Sequence, residues 1–134
     1  MGTWSHEPFG NDTAGDWAYG LVESSDLSYI EAALDKVLRQ SGYLEAPDAE
    51  EAIAAVEVVA KLLGNGTQSD AYTEEVDTWV ASMKQKPSST LLAKGQRALK
   101  RILSGESELL ELWSEGDDLE RWKASIAALE SAIT

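Results

Sequence analysis

From Leu27 onward, apolar residues recur at helical spacing along most of the chain. Leu27, Ile30, Leu34 and Val37 lie three and four apart and make one buried stripe, which Ser41 and Gly42 stop. Pro47 and Asp48 open the next element, with Asp48 and Glu51 at capping-box spacing, and it runs to Leu63 before Gly64-Asn65-Gly66 breaks it. Here Ile53, Val56, Val58, Val59, Ala60, Leu62 and Leu63 occupy more than one face, so this is predicted to be the most buried helix. Tyr72, Val76, Trp79, Val80 and Met83 form a further stripe; Lys84 and Lys86 suit the negative end of its dipole, and Pro87 ends it. Ser88 or Ser89 can cap the next helix, whose Leu91, Leu92, Ala98, Leu99, Ile102 and Leu103 face inward. A shorter segment spans Glu106 to Trp113. Gly116-Asp117-Asp118 then introduces a last helix striped by Leu119, Trp122, Ile126, Leu129 and Ile133.

No region alternates apolar and polar residues between hairpin turns, and no helical-repeat period or low-complexity linker divides the chain. The expected fold is all-α: a single-domain bundle of six or seven helices, orthogonal or up-and-down, over residues 11–134, preceded by a non-helical arm over residues 1–10. At 134 residues such a domain hides roughly two-thirds of the surface of its unfolded chain. There is no cysteine, hence no disulfide framework and no thiolate chemistry. No apolar run reaches membrane-spanning length and no basic-then-apolar leader opens the chain, so an unprocessed cytoplasmic protein is expected, with no membrane partner. His6 stands where the myristoylation pattern needs Ser or Thr.

The opening stretch MGTWSHEPFGNDTAGDW is dense in chemistry. Gly2, Pro8 and Gly10 oppose helix, and Trp4 and Phe9 are the expected anchors of the arm. Asn11 or Asp12 can cap a helix with Ala14, Trp17, Ala18 and Leu21 inside, which Gly15 and Gly20 weaken. Docking of the arm and Trp17 is what holds it, each large aromatic contributing on the order of 2–3 kcal/mol when buried. Met-Gly-Thr-Trp, then Phe9, Asn11-Asp12-Thr13-Ala14, Asp16 and Trp17, resembles the opening of the bacterial family described as domain of unknown function 4259, with its Met-Gly-x-Trp-Gly and Phe-x-Asn-Asp-x-Ala-x-Asp signature. The resemblance covers roughly the first 21 residues. Ser5 replaces a usual Gly and Glu7 stands at another Gly-favouring position. The resemblance implies a family and no particular activity.

Charge changes the picture further. Eleven Lys and Arg against 24 Asp and Glu leave a formal charge of −13, which opposes nucleic-acid and anionic-membrane binding and steers in basic partners; the plainer reading is that acidity keeps the protein dissolved. Residues 1–26 hold five acids and no Lys or Arg, whereas Thr78 to Gly105 holds six basic residues and no acid. Among these, Lys94, Arg97 and Arg101 share a helix flank. They suit a phosphate or an acidic segment, or else internal pairing with acids of neighbouring helices. Asp12 and Asp16, one turn apart, are candidate divalent-metal ligands with His6 or Glu7 brought across; alternatively they serve the helix start and solvent. The acid groups Asp48-Glu50-Glu51 and Glu74-Glu75-Asp77 have the same helix-start explanation.

A lone histidine rules out His-Glu-x-x-His zinc spacing, and neither a Gly-x-Ser-x-Gly turn nor a phosphate loop occurs. No cofactor is implied. Five tryptophans exceed the needs of a core this size, so one of Trp79, Trp113 and Trp122 is expected to line a groove. The leading functional expectation is a non-enzymatic acidic protein, monomer or homodimer, that binds a basic protein partner, immunity- or antitoxin-like by analogy of class. The alternatives are a metal- or small-ligand-binding protein, or metal-dependent hydrolase, using Asp12 and Asp16, and a purely structural arm that clasps the bundle or a homodimer.

Overall fold

The computed structural model describes residues 2–134 and is all-α. Among the described residues there are seven helices: α1 (Asp12–Val22), α2 (Ser28–Leu38), α3 (Ala46–Leu62), α4 (Glu74–Ser82), α5 (Ser89–Ile102), α6 (Glu108–Ser114) and α7 (Leu119–Ala132), with a 3-10 turn over Ala71–Thr73 before α4. None of them is long and apolar enough to cross a membrane.

All six other helices pack on α3. Every residue from Ala52 to Ala60 is buried, so this stretch has no polar face to give to water. Ala49, Ala52, Ala54, Ala55 and Ala60 let neighbouring helices approach, and Ile53, Val56, Val58 and Val59 fill the space between. Each such branched side chain contributes roughly 1.5–3 kcal/mol by leaving water. Gly95 of α5 is tightly enclosed, since a Cβ there would stand 2.9 Å from Ile133 Cδ1 and 3.6 Å from Val56 Cγ2 of α3.

The two ends of α3 are satisfied from outside the helix. The expected Asp48-Glu51 capping box does not form, because the N-cap is Glu45 and contributes no side-chain bond. Instead Ala46 N–H donates to Glu108 Oε1 of α6 at 2.7 Å. Leu44 and Ser107 form a parallel bridge that sets this contact, with Leu44 N–H on Glu106 O at 2.8 Å and Glu108 N–H on Leu44 O at 2.9 Å. Asp48 and Glu51 turn outward to Lys36 of α2, at 3.7 and 3.1 Å. Tyr43 donates to Glu111 at 2.7 Å, which pushes its phenol up to about 12.

Towards the other end, Glu57 is fully buried in the middle of the apolar run. Its carboxylate accepts from Thr67 N–H at 2.9 Å, Thr67 Oγ1 at 2.6 Å and Gln68 N–H at 2.8 Å. One turn on, Lys61 Nζ lies 3.5 Å from Glu57 and 2.7 Å from Asp77 of α4, and donates to Gln68 O. The loop after α3 is therefore folded around a buried charge. Lys86 donates to Leu62 O at 3.2 Å, so it serves the carboxyl end of α3 rather than that of its own preceding helix. Two expected inward residues face solvent: Tyr72 is 62% exposed on the 3-10 turn, and Leu103 is exposed as the C-cap of α5.

Removing Glu57 would leave the buried Gln68 N–H and the Thr67 N–H without their acceptor and take from Lys61 one of its two carboxylates. Glu57→Ala is expected to cost about 3–5 kcal/mol, read as a lower urea midpoint with an unchanged slope; a loss under 1 kcal/mol would contradict this role.

Candidate functional site

The arm folds back on itself before α1. Trp4 N–H donates to Gly10 O at 2.9 Å and Asp12 N–H to Gly2 O at 2.7 Å, which pairs Thr3 with Asn11. Gly10 is required there, since a Cβ would lie 2.8 Å from the Ser5 carbonyl oxygen. Ser5 and Glu7, the departures from the signature, serve each other: Glu7 N–H donates to Ser5 Oγ at 3.2 Å.

Phe9 is the arm's anchor, 2% exposed, with its N–H on Gln68 Oε1 at 2.8 Å. Asn11 caps α1 by accepting from Ala14 N–H at 2.8 Å. Trp17 is buried against Tyr29, centroids 5.1 Å apart, and Tyr29 donates to Trp17 O at 2.8 Å. Trp4, expected as the second anchor, is instead 48% exposed and leans on Tyr72 at 5.1 Å. Met1 of the signature lies outside the described residues.

Asp12 and Asp16 are both exposed on α1. Among the described residues, no group of three or more His, Asp or Glu side chains is placed to hold a metal ion. His6 faces inward: its Nδ1 is buried and has no hydrogen-bond partner among the described residues. The space it faces, bordered by Asn11, Glu50, Trp113 and Trp122, is about 10 Å³, room for one water and no more.

Beyond that space lies an open groove of about 290 Å³, between the arm, the start of α3 and the α6–α7 turn. Leu109, Leu112 and Trp113 form its apolar side; Glu50, Asp117 and Asp118 supply carboxylates. Leu112 is 50% exposed, and Trp113 stacks parallel to buried Trp122 at 6.0 Å. Glu50 borders both spaces. Burial pushes its carboxyl above the ordinary range, the nearby Thr13 side chain opposes this in part, and Glu108 adds to the rise. Among the described residues no cation lies within ion-pair distance of Glu50.

Of the three surplus tryptophans, Trp113 lines this groove, Trp79 borders a second one of about 510 Å³ with Val22, Glu74 and Glu75, and Trp122 is buried. The basic flank of α5 is largely turned to structure. Lys94 binds Glu31 and Asp35 of α2 at 2.6 and 2.9 Å, and its ammonium is raised above its usual range, chiefly by the bond to Glu31. Arg101 donates to the carbonyls of Gly42 and Glu106, bracing the loops at either side of the Leu44 bridge. Arg97 is exposed and makes no ion pair among the described residues. Sequence reasoning placed Glu50 at a helix start but did not join it to Trp113 and Asp117; the available signal was the density of acids around Trp113 and Gly116.

The family model described as Domain of unknown function (DUF4259) matches residues 2–125. No curated protein and no solved structure gives a significant match.

Two outcomes are expected at the arm. Phe9→Ala should destabilise by about 3–5 kcal/mol, a core truncation, and half-exposed Trp4→Ala by about 1 kcal/mol or less, both read from chemical unfolding. Glu50 has the opposite sign. Its folded pKa lies above its unfolded value, so the ionised form costs stability once pH exceeds the ordinary glutamate value of 4.5. Glu50→Gln should therefore raise the melting temperature at neutral pH, and the gain should vanish below that value; a lower melting temperature at pH 7 would show that the charge is compensated.

Proposed function

We propose that this chain, which belongs to the DUF4259 family, is a non-enzymatic interaction protein whose acidic surface binds a basic protein partner. The observation that carries the reading is where the negative charge lies. From Glu106 to Glu120 the chain holds seven acids and no Lys or Arg, and the one ion pair this segment makes among the described residues is Asp118 with Arg121, solvent-exposed at 3.8 Å. Such a pair contributes little. Three cations are drawn elsewhere, Lys94 and Lys36 to α2 and α3 and Lys61 to the buried carboxylate, and of the bases that directly follow the segment, Arg121 makes only that exposed pair and Lys123 makes no ion pair among the described residues. The field over α6 and the α6–α7 turn is thus weakly compensated and favours a positively charged surface over phosphate backbone or anionic lipid. An immunity- or antitoxin-like protein, masking a basic effector, is the biological form of this proposal.

A fluorescent arginine- and lysine-rich peptide tests it by anisotropy. Binding should weaken steeply from low to physiological salt, and reversal of Glu115, Asp117 and Glu120 to Lys should abolish it. Salt-insensitive binding, or none, refutes the electrostatic reading.

A further inference from the structure

The groove beside Trp113 has a more specific character than the acidic surface around it. Its carboxylates come from two elements, Glu50 from the first turns of α3 and Asp117 and Asp118 from the α6–α7 turn, and they flank an apolar wall of Leu112 and Trp113. The volume, about 290 Å³, suits one long side chain rather than a cofactor. Resting on the basic-partner reading, we propose that this groove is the recognition pocket for an arginine side chain of the partner, its guanidinium lying along Trp113 and donating to Glu50 and Asp117.

Charge and shape select that occupant together. The carboxylates of Glu50 and Asp117 favour a cation, Asp118 already lying 3.8 Å from Arg121, and the apolar wall favours one that tolerates partial loss of water. A guanidinium is planar, weakly hydrated and able to stack on an indole while its N–H groups reach carboxylates on different sides; a lysine ammonium is compact, strongly hydrated and leaves the wall uncovered. The position of Glu50 is the second argument. It is half-buried at the inner end of the groove with no cation of its own chain beside it, so an incoming guanidinium would meet an acceptor whose desolvation has already been borne in folding. The groove beside Trp79 lacks this feature: Trp79 is 7% exposed, its indole N–H is engaged by Ser24 O at 3.0 Å, and Glu74 and Glu75 on its rim are exposed.

The test uses the whole chain with its tryptophan indoles labelled with nitrogen-15, the Trp113 resonance being assigned from Trp113→Phe. N-acetyl-arginine methylamide should move that resonance saturably, and the lysine counterpart should bind several-fold more weakly. Glu50→Gln and Asp117→Asn should each weaken the arginine probe roughly tenfold, the loss of one charge-assisted hydrogen bond. Because Glu50→Gln is also expected to raise the melting temperature, weaker binding by a more stable protein separates a binding role from a structural one. An unmoved Trp113, equal response to the lysine probe, or unchanged affinity in Glu50→Gln each overturns the assignment. If Trp113 stays silent while the polybasic peptide still binds in a salt-dependent way, the groove is wrong and the acidic-surface reading stands; if neither probe binds, both fall.

Discussion

The burial of α3 on every side is the constraint from which the rest of the architecture follows. A helix with water on one flank can leave its polar groups to solvent, but the stretch from Ala52 to Ala60 has no such flank, and it contains a carboxylate. Glu57 must therefore be given partners by protein. Thr67 and Gln68 supply them, which fixes the loop after α3; Gln68, held in place, receives the Phe9 N–H and so positions the arm. Lys61 carries the same charge balance outward to Asp77 and α4. One buried acid thus sets a loop, a helix and the amino-terminal arm.

The helices were legible in the sequence because their stripes are long and their stops are marked by Gly, Pro and Ser. The family signature was legible too, and its packing residues Phe9, Asn11 and Trp17 hold the expected places. Trp4 was not, because an aromatic in an arm says nothing of whether its docking face is a core or a solvent-facing tyrosine. The capping of α3 was misread for a similar reason: the spacing of Asp48 and Glu51 fits a capping box, but the carboxylate that reaches the helix start is Glu108, far along the chain. Glu57 did leave a trace, a single acid inside an apolar run with a lysine one turn later. Its loop partners, ten and eleven positions on, could be found only from the fold.

The basic flank of α5 illustrates how local pattern and tertiary use diverge. Lys94, Arg97 and Arg101 share a face by spacing, yet two of them are consumed, one by α2 carboxylates and one by loop carbonyls. This internal use has a consequence for the surface. Each cation turned inward leaves an acid elsewhere without an opposite charge, so the net charge concentrates where the chain has acids and no bases, around α6 and the α6–α7 turn. The proposed interaction surface is in this sense a by-product of how the bundle is braced.

Glu50 marks the point where bracing and the proposed binding conflict. Its neighbours Asp48 and Glu51 face Lys36, on which Glu51 is 3.1 Å away, whereas Glu50 points to the opposite side of the helix, towards the arm and Trp113. There, burial disfavours its charge, and Glu108, already committed to capping α3, adds repulsion. A glutamine would fill the same volume without that cost. Residues at odds with their own fold are expected where stability is yielded to function. Such a residue at the inner end of a carboxylate-flanked groove is a stronger pointer to a cationic ligand than the net charge of the whole chain, because net charge is satisfied by any solvated surface, whereas a half-buried anion with no cation of its own chain gains most from one that comes to it.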